Sequence, residues 1–264
     1  DVYLPQWLKK GAPTGLVSEP EDAGIFPRVH EEIPEDPRRD LTFHDESFVN
    51  YKSLEESEHS HGVLQELVDA GYMDVYDDID QAERAIKDSP VVLSKLALIT
   101  TLKDGVLKHR LILDCRVSGT NDRAVKRERI ILPSAWDIVH DALIMKAKAS
   151  VEDELFLFVC DYKDAFFKLP LMPAERRFYA TRFKGKLYMC SRLVQVSVNG
   201  PSCFGRLSAL TARLSQSLVD TTELRMQAYT DDPCMVLRGS RGKCERMASM
   251  MVVAWLVLGW SLSY

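Results

Sequence analysis

Three aspartates stand at the ends of apolar runs in this chain, and their placement suits chemistry on phosphate esters. Asp161 closes the run Leu155 to Cys160, and seventy residues on, Asp231 and Asp232 close a second run as Tyr229-Thr230-Asp231-Asp232. Nucleotidyl transfer needs a 3′-hydroxyl to attack an α-phosphate while pyrophosphate leaves. Two Mg²⁺ ions about 4 Å apart can activate the attacking oxygen and neutralise the leaving one. Mg²⁺ takes oxygen ligands, usually one or two carboxylates together with substrate phosphates. Such a site requires carboxylates from different strands to meet at one edge of a sheet, which antiparallel pairing of these runs would accomplish. Taken singly, Asp161 reads equally well as a strand end and Asp231-Asp232 as a solvated turn.

The elements that must position these acids are legible as periodicity and turn signals. Leu155 to Cys160 is continuously apolar, the pattern of a strand buried on both faces. Leu224 to Tyr229 and Cys234 to Leu237 predict strands on either side of the Asp-Asp turn. Phe178 to Phe183 and Lys186 to Cys190 predict a hairpin about Lys184-Gly185. Pro201 opens a helix to about Leu218, with Phe204, Leu207, Leu210 and Leu214 on one face. Upstream, Val91 to Thr101 and Leu107 to Leu113 flank Lys103-Asp104-Gly105, a hairpin signal. A polar connection, Ser118 to Asp122, follows, and Leu132-Pro133-Ser134 introduces a helix over about Ala135 to Lys148. Residues 46–90 carry helical periodicity, as in Gly62 to Val68, and predict short helices. Residues 1–45 hold Pro5, Pro13, Pro20, Pro27, Pro34 and Pro37 among glycines and acids, which reads as an extended, linker-like lead-in.

Composition narrows the partners. With 46% hydrophobic and 28% charged residues, the 264-residue chain is an ordinary globular sequence, neither disordered nor membranous. Its net charge of −5 hides an asymmetry. Residues 1–90 carry 8 Lys and Arg against 22 Asp and Glu, and residues 91–264 carry 26 against 17, so a net −14 precedes a net +9. The basic part suits a polyanion. Six cysteines without a C-x-x-C spacing favour reduced thiols in an intracellular protein and argue against zinc. His59 and His61 read as part of a solvated loop. Met247 to Tyr264 is the one membrane suspect, but its strongest stretch, Met250 to Trp260, falls short of the roughly 20 apolar residues a span requires. A buried helix is the expectation there. The chain opens Asp1-Val2-Tyr3 without Met, and both ends read as cut from something longer.

Over residues 91–264 the order of motifs resembles the reverse transcriptase family. Lys103 to Arg116 is similar to the family's block K-D-x-x-x-K-x-R-x-x-x-D-x-R-x-x-N, with Asn121 slightly late. Asp161-Tyr162-Lys163-Asp164-Ala165-Phe166-Phe167 matches D-x-x-D-A-[FY]-F completely. Leu193 to Phe204 resembles L-P-[QF]-G-x-x-x-[SAG]-P-x-x-[FW] through Gln195, Pro201 and Phe204, but Val194 replaces Pro and Val196 replaces Gly. Tyr229 to Asp232 matches the family's Y-x-D-D, and Gly259 to Ser263 looks like the start of the next motif.

The resemblance implies an α+β fold, the fingers and palm of a right-hand polymerase with a small antiparallel sheet backed by helices. It divides the chain into an acidic region, 1–90, and a fingers–palm region, 91–264, truncated before the thumb. The implied activity is RNA-directed DNA synthesis within a retroelement polyprotein, on a primed RNA or DNA template with dNTPs and two Mg²⁺, or Mn²⁺ in their place. Asp161 and Asp231 would hold the metals with help from the Tyr162 carbonyl, while Asp232 shapes the local field. Lys103 and Arg110 would grip the triphosphate, the backbone of Asp164 and Ala165 would face it, and Phe166 would exclude a ribose 2′-hydroxyl, with Gln195 beside the nucleotide. A β-branched Val196 would crowd the sugar or resist the backbone angles that Gly allows. The rival readings are a decayed, inactive copy, an RNA-dependent RNA polymerase, which Phe166 opposes, and an interaction module whose acid pairs are incidental.

Overall fold

The computed structural model describes residues 1–29, 41, 46–87, 89–103 and 105–263. Pro34 and Pro37 of the lead-in and Asp104 of the hairpin signal lie outside the described residues.

The described start of the lead-in, residues 1–29, is not a linker. Helix α1 (Leu4–Lys10) carries Pro5 in its first turn, where the missing N–H costs nothing, and buries Leu4 and Trp7. Gly11, at φ +96, then passes against the Leu171 backbone so closely that a Cβ would collide with it. Glu175, fully buried, holds the next residues. Its carboxylate accepts the Thr14 hydroxyl and the backbone N–H groups of Thr14, Leu16, Val17 and Ser18. A proline-rich stretch reads as a loop, and here one distant carboxylate satisfies the donors that would otherwise need water.

Helices α2 (Lys52–Glu55) and α3 (Ser60–Asp69) lead to strand β1 (Met73–Tyr76) and helix α4 (Ile79–Ala85). The Asp78 side chain caps α4 by accepting the Gln81 N–H at 2.7 Å. The short helices expected over 46–90 are therefore present, with a strand among them. Strands β2 (Lys95–Lys103) and β3 (Val106–Asp114) form the expected hairpin, in register from Lys95↔Asp114 to Lys103↔Val106. Leu96, Leu98 and Leu113 face the core. The opposite face carries Lys103, Lys108 and Arg110, all exposed.

Helix α5 (Thr120–Arg123) precedes α6 (Ala135–Ala147), which opens on a reciprocal cap between Ser134 and Asp137. Strands β4 (Glu154–Val159) and β5 (Tyr162–Lys163) follow, then the 3-10 turns Ala165–Lys168 and Pro173–Phe178 and the hairpin β6 (Ala180–Phe183) and β7 (Lys186–Cys190). Helix α7 (Gly200–Gln216), strands β8 (Leu224–Tyr229) and β9 (Asp232–Gly239), helix α8 (Arg241–Val257) and strand β10 (Ser261–Leu262) complete the chain.

The sheets are small and antiparallel, with orders β4-β9-β8, β1-β7-β6, β2-β3 and β10-β5. β1 thus adds a strand from the acidic region to the β6–β7 hairpin. Two expectations need correction. β4 is not buried on both faces: Phe156 and Phe158 pack on the core, whereas Leu157 and Val159 are 62% and 56% exposed. β4 is an edge strand, a position that an apolar run cannot reveal. Likewise α8 is buried along one stripe only, through Cys244, Met247, Met251 and Trp255, while Val253 and Val257 are exposed. Among the described residues no helix is long and apolar enough to cross a membrane.

Candidate active site

The three aspartates come together where β4 ends beside the β8–β9 turn. β4 pairs with β9 from Glu154↔Gly239 to Val159↔Cys234. Beyond that pairing, the Cys160 N–H donates to the Pro233 carbonyl at 3.1 Å and the Tyr162 N–H donates to the Asp231 carbonyl at 2.9 Å. Asp161 sits between these two tethers, and its own carbonyl accepts the Ser263 N–H at 2.9 Å. The neighbouring Tyr162 is buried, with its ring stacked on Trp260 at 4.3 Å and edge-on to Trp255 at 5.5 Å. Asp161 therefore projects from a rigid base while remaining exposed.

Asp231 occupies the two-residue turn that links Tyr229 to its partner Asp232. Thr230, at φ +52, takes the left-handed conformation that tight hairpins require. Its hydroxyl donates to Asp231 Oδ1 at 2.7 Å, and its carbonyl accepts the Ser208 hydroxyl of α7 at 2.7 Å. Asp232 opens β9 rather than lying in the turn. Burial pushes its carboxyl up, and the charges of Asp231 and Asp161 push it further the same way. Both other acids thus act on Asp232. A cleft of about 440 Å³ lies here, lined among others by Cys160, Asp161, Asp232, Val252 and Ser263.

The donor chemistry suits a hard cation, because the acids offer oxygen ligands alone. Among the described residues, no three His, Cys, Asp or Glu side chains close into a cage around a metal. That is compatible with Mg²⁺, which needs only one or two carboxylates when phosphates supply the rest.

The residues expected around a nucleotide are placed as follows. Asp164 is exposed at φ +55, and Ala165 behind it is buried. Phe166 is 8% exposed and stacked on Phe204 at 4.5 Å, so core packing alone would retain an aromatic there. Gln195 is exposed. Val196 is half-buried against the core, and its carbonyl accepts the Asn121 side-chain N–H at 2.9 Å. Val196 does not have a positive φ, so a β-branched residue occupies this turn without backbone strain. Lys103 and Arg110 form no ion pair among the described residues and stay on the outer face of the β2–β3 hairpin. Sequence reasoning missed Thr230 and Ser208, which fix the acid turn, and Tyr72, whose hydroxyl donates to Asp164 at 3.3 Å. No local signal marks Tyr72.

Helices with small antiparallel sheets in this arrangement have a reverse transcriptase-like fold. The crystal structure of prototype foamy virus protease-reverse transcriptase, a CSH mutant, aligns over 85% of this chain and 26% of its own length, with TM-score 0.54 and 16% identity. A structure of the foamy viral protease-reverse transcriptase in complex with double-stranded DNA aligns over 84% of this chain and 32% of its own, with TM-score 0.50 and 14% identity. This chain spans about a quarter to a third of the length of those proteins. No family model and no curated protein matches the sequence.

Proposed function

We propose that this chain is the nucleotidyl-transferring part of an RNA-directed DNA polymerase, drawn from a retroelement polyprotein. The observation that carries the reading is the meeting of Asp161 with Asp231 and Asp232 on a reverse transcriptase-like fold. Asp161 and Asp231, with the Tyr162 carbonyl, would hold two Mg²⁺. When bound, such ions activate the attacking hydroxyl and neutralise the leaving pyrophosphate. Asp232, pushed up by burial first and by the charges of Asp231 and Asp161 next, would add to the field that makes cation binding favourable.

The remaining roles belong to the protein's own groups. Lys103 and Arg110 project from one face of the β2–β3 hairpin and are the cations to meet a triphosphate. The backbone of Asp164 and Ala165 faces the same phosphates, Phe166 selects against a 2′-hydroxyl, and Gln195 borders the sugar. The substrate pair is a dNTP and a primed template. The double-stranded DNA bound to the foamy viral structure supports a duplex as partner. The acidic region, 1–90, and the fingers–palm region, 91–264, divide the work unequally, since the charge of the second favours the polyanion.

A second reading, a copy that keeps the fold without the chemistry, is favoured by Val196, which replaces the Gly of the resembled motif and would crowd the sugar. Primer extension on an RNA template with dNTPs and Mg²⁺ separates the two. Incorporation by the chain, with or without an appended thumb, that vanishes in Asp231→Ala is the result expected of a working polymerase. Incorporation that requires Val196→Gly assigns the inactive copy, and silence from every folded version removes the polymerase reading.

A further inference from the structure

Tyr72 belongs to none of the motifs, yet it reaches the phosphate-facing loop. It leaves α3 through Ala70 and Gly71, the latter at φ +71, and immediately precedes β1. Its backbone is held at both ends. The Tyr72 N–H donates to the Leu67 carbonyl at 2.9 Å, and the Tyr72 carbonyl accepts the Ser191 N–H at 3.0 Å. The Ser191 hydroxyl also donates to the Gly71 carbonyl at 3.0 Å. From this base the Tyr72 ring stacks on Phe167, with centroids 4.3 Å apart and planes 21° from parallel. Its hydroxyl donates to Asp164 Oδ2 at 3.3 Å.

Asp164 and Phe167 are the two ends of one tight turn, closed by the Phe167 N–H donating to the Asp164 carbonyl at 3.0 Å. Asp164 lies at φ +55, a left-handed conformation that residues other than Gly, Asn and Asp seldom adopt. Asp accepts this conformation, and Tyr72 adds a constraint from outside, touching both ends of a turn whose middle residues are Ala165 and Phe166. The phenol stays protonated and able to donate, since burial and the Asp164 charge push it up while Arg192 opposes them more weakly.

We propose that Tyr72 is a positioning residue for the incoming deoxynucleoside triphosphate, clamping the Asp164–Phe167 turn in the shape that presents its backbone to the phosphates. The proposal rests on the polymerase reading above. A clamp that organises the loop in advance lowers the cost of binding and leaves the chemical step alone. Its loss therefore raises KM for dNTP and spares kcat.

Single-nucleotide incorporation on a primed template, with thermal unfolding in parallel, tests this in the chain as it stands, in Tyr72→Phe and in Tyr72→Ala. The clamp requires a KM for dNTP raised about tenfold in Tyr72→Ala, with kcat within about twofold. Tyr72→Phe, which keeps the stack on Phe167, should fall between, at about threefold. Equal KM values in all three, with the unsubstituted chain active, overturn the clamp and leave the polymerase reading standing. A fall in kcat at constant KM, tracking a lower unfolding temperature, also overturns it by assigning Tyr72 to stability alone. Silence of every folded version, those with an appended thumb included, removes the polymerase reading and the clamp with it.

Discussion

Two hairpins carry the charges on which the proposed chemistry depends, and they are held in opposite ways. The β8–β9 turn is tied from three directions: by Ser208 of α7 to the Thr230 carbonyl, by the Tyr162 N–H to the Asp231 carbonyl, and by the Thr230 hydroxyl to the Asp231 carboxylate. The β2–β3 hairpin is anchored at its root by Leu96, Leu98 and Leu113, while Leu102 and Val106 near its tip are 70% and 61% exposed. Acids converging where burial removes solvent repel and must be held by bonds made elsewhere. Cations on an exposed face repel too, but water screens them and a scaffold that presents them suffices.

Removing an acid from the tied turn region has the largest expected effect. Asp161→Ala should lower the single-turnover incorporation rate at least about a thousandfold, or roughly 4 kcal/mol in the barrier, with folding intact by circular dichroism. Next in size, Lys103→Ala with Arg110→Ala should raise KM for dNTP by about ten- to thirtyfold. Their unfolding free energy should change by less than about 0.5 kcal/mol, because both side chains are exposed. Ser208→Ala, which releases the Thr230 carbonyl, should cost about 1 kcal/mol in urea unfolding, and a larger change would mean that the turn bears more than one bond's worth of stability.

The smallest effect concerns Asp232. Its carboxyl is raised in the folded state, so the folded protein binds the proton more tightly than the unfolded chain, and the charged form costs stability above the raised value. Asp232→Asn should therefore raise the melting temperature by about 1 °C at pH 7. The gain should shrink as pH falls through the raised value and be gone below the ordinary aspartate range, where the native carboxyl is already neutral. A gain that persists at low pH would show that packing, not repulsion, limits this position.

Much of the part from residue 91 onward was legible from local pattern. Strands β2 and β3 pair as the two β-prone runs predict, up to Lys103 opposite Val106, and Ser134 caps α6 with Asp137 three residues on. The helix from Pro201 and the strands around Asp231 also stand within a few residues of where periodicity puts them. The site's neighbourhood was less legible. Tyr72 approaches Asp164 across 92 residues of sequence, and Glu175 holds Thr14 across 161, distances at which no periodicity operates. The apolar run of β4 was legible as a strand, but its exposed side was not, because which face other elements cover is settled by tertiary packing.

Local pattern in the chain already set which residues could become strand, turn and helix, with one acid ending a strand and two more at a turn. Those choices depend on side-chain period, Gly and Pro punctuation and capping residues, all local in the chain. Packing alone brings Asp161 to Asp231 and Asp232, seats Leu4, Trp7 and Ala12 of the lead-in in the core, and carries Tyr72 to the Asp164 turn. Each of these is a backbone register or a hydrogen bond between distant segments, selected by which packed arrangement satisfies the buried polar groups.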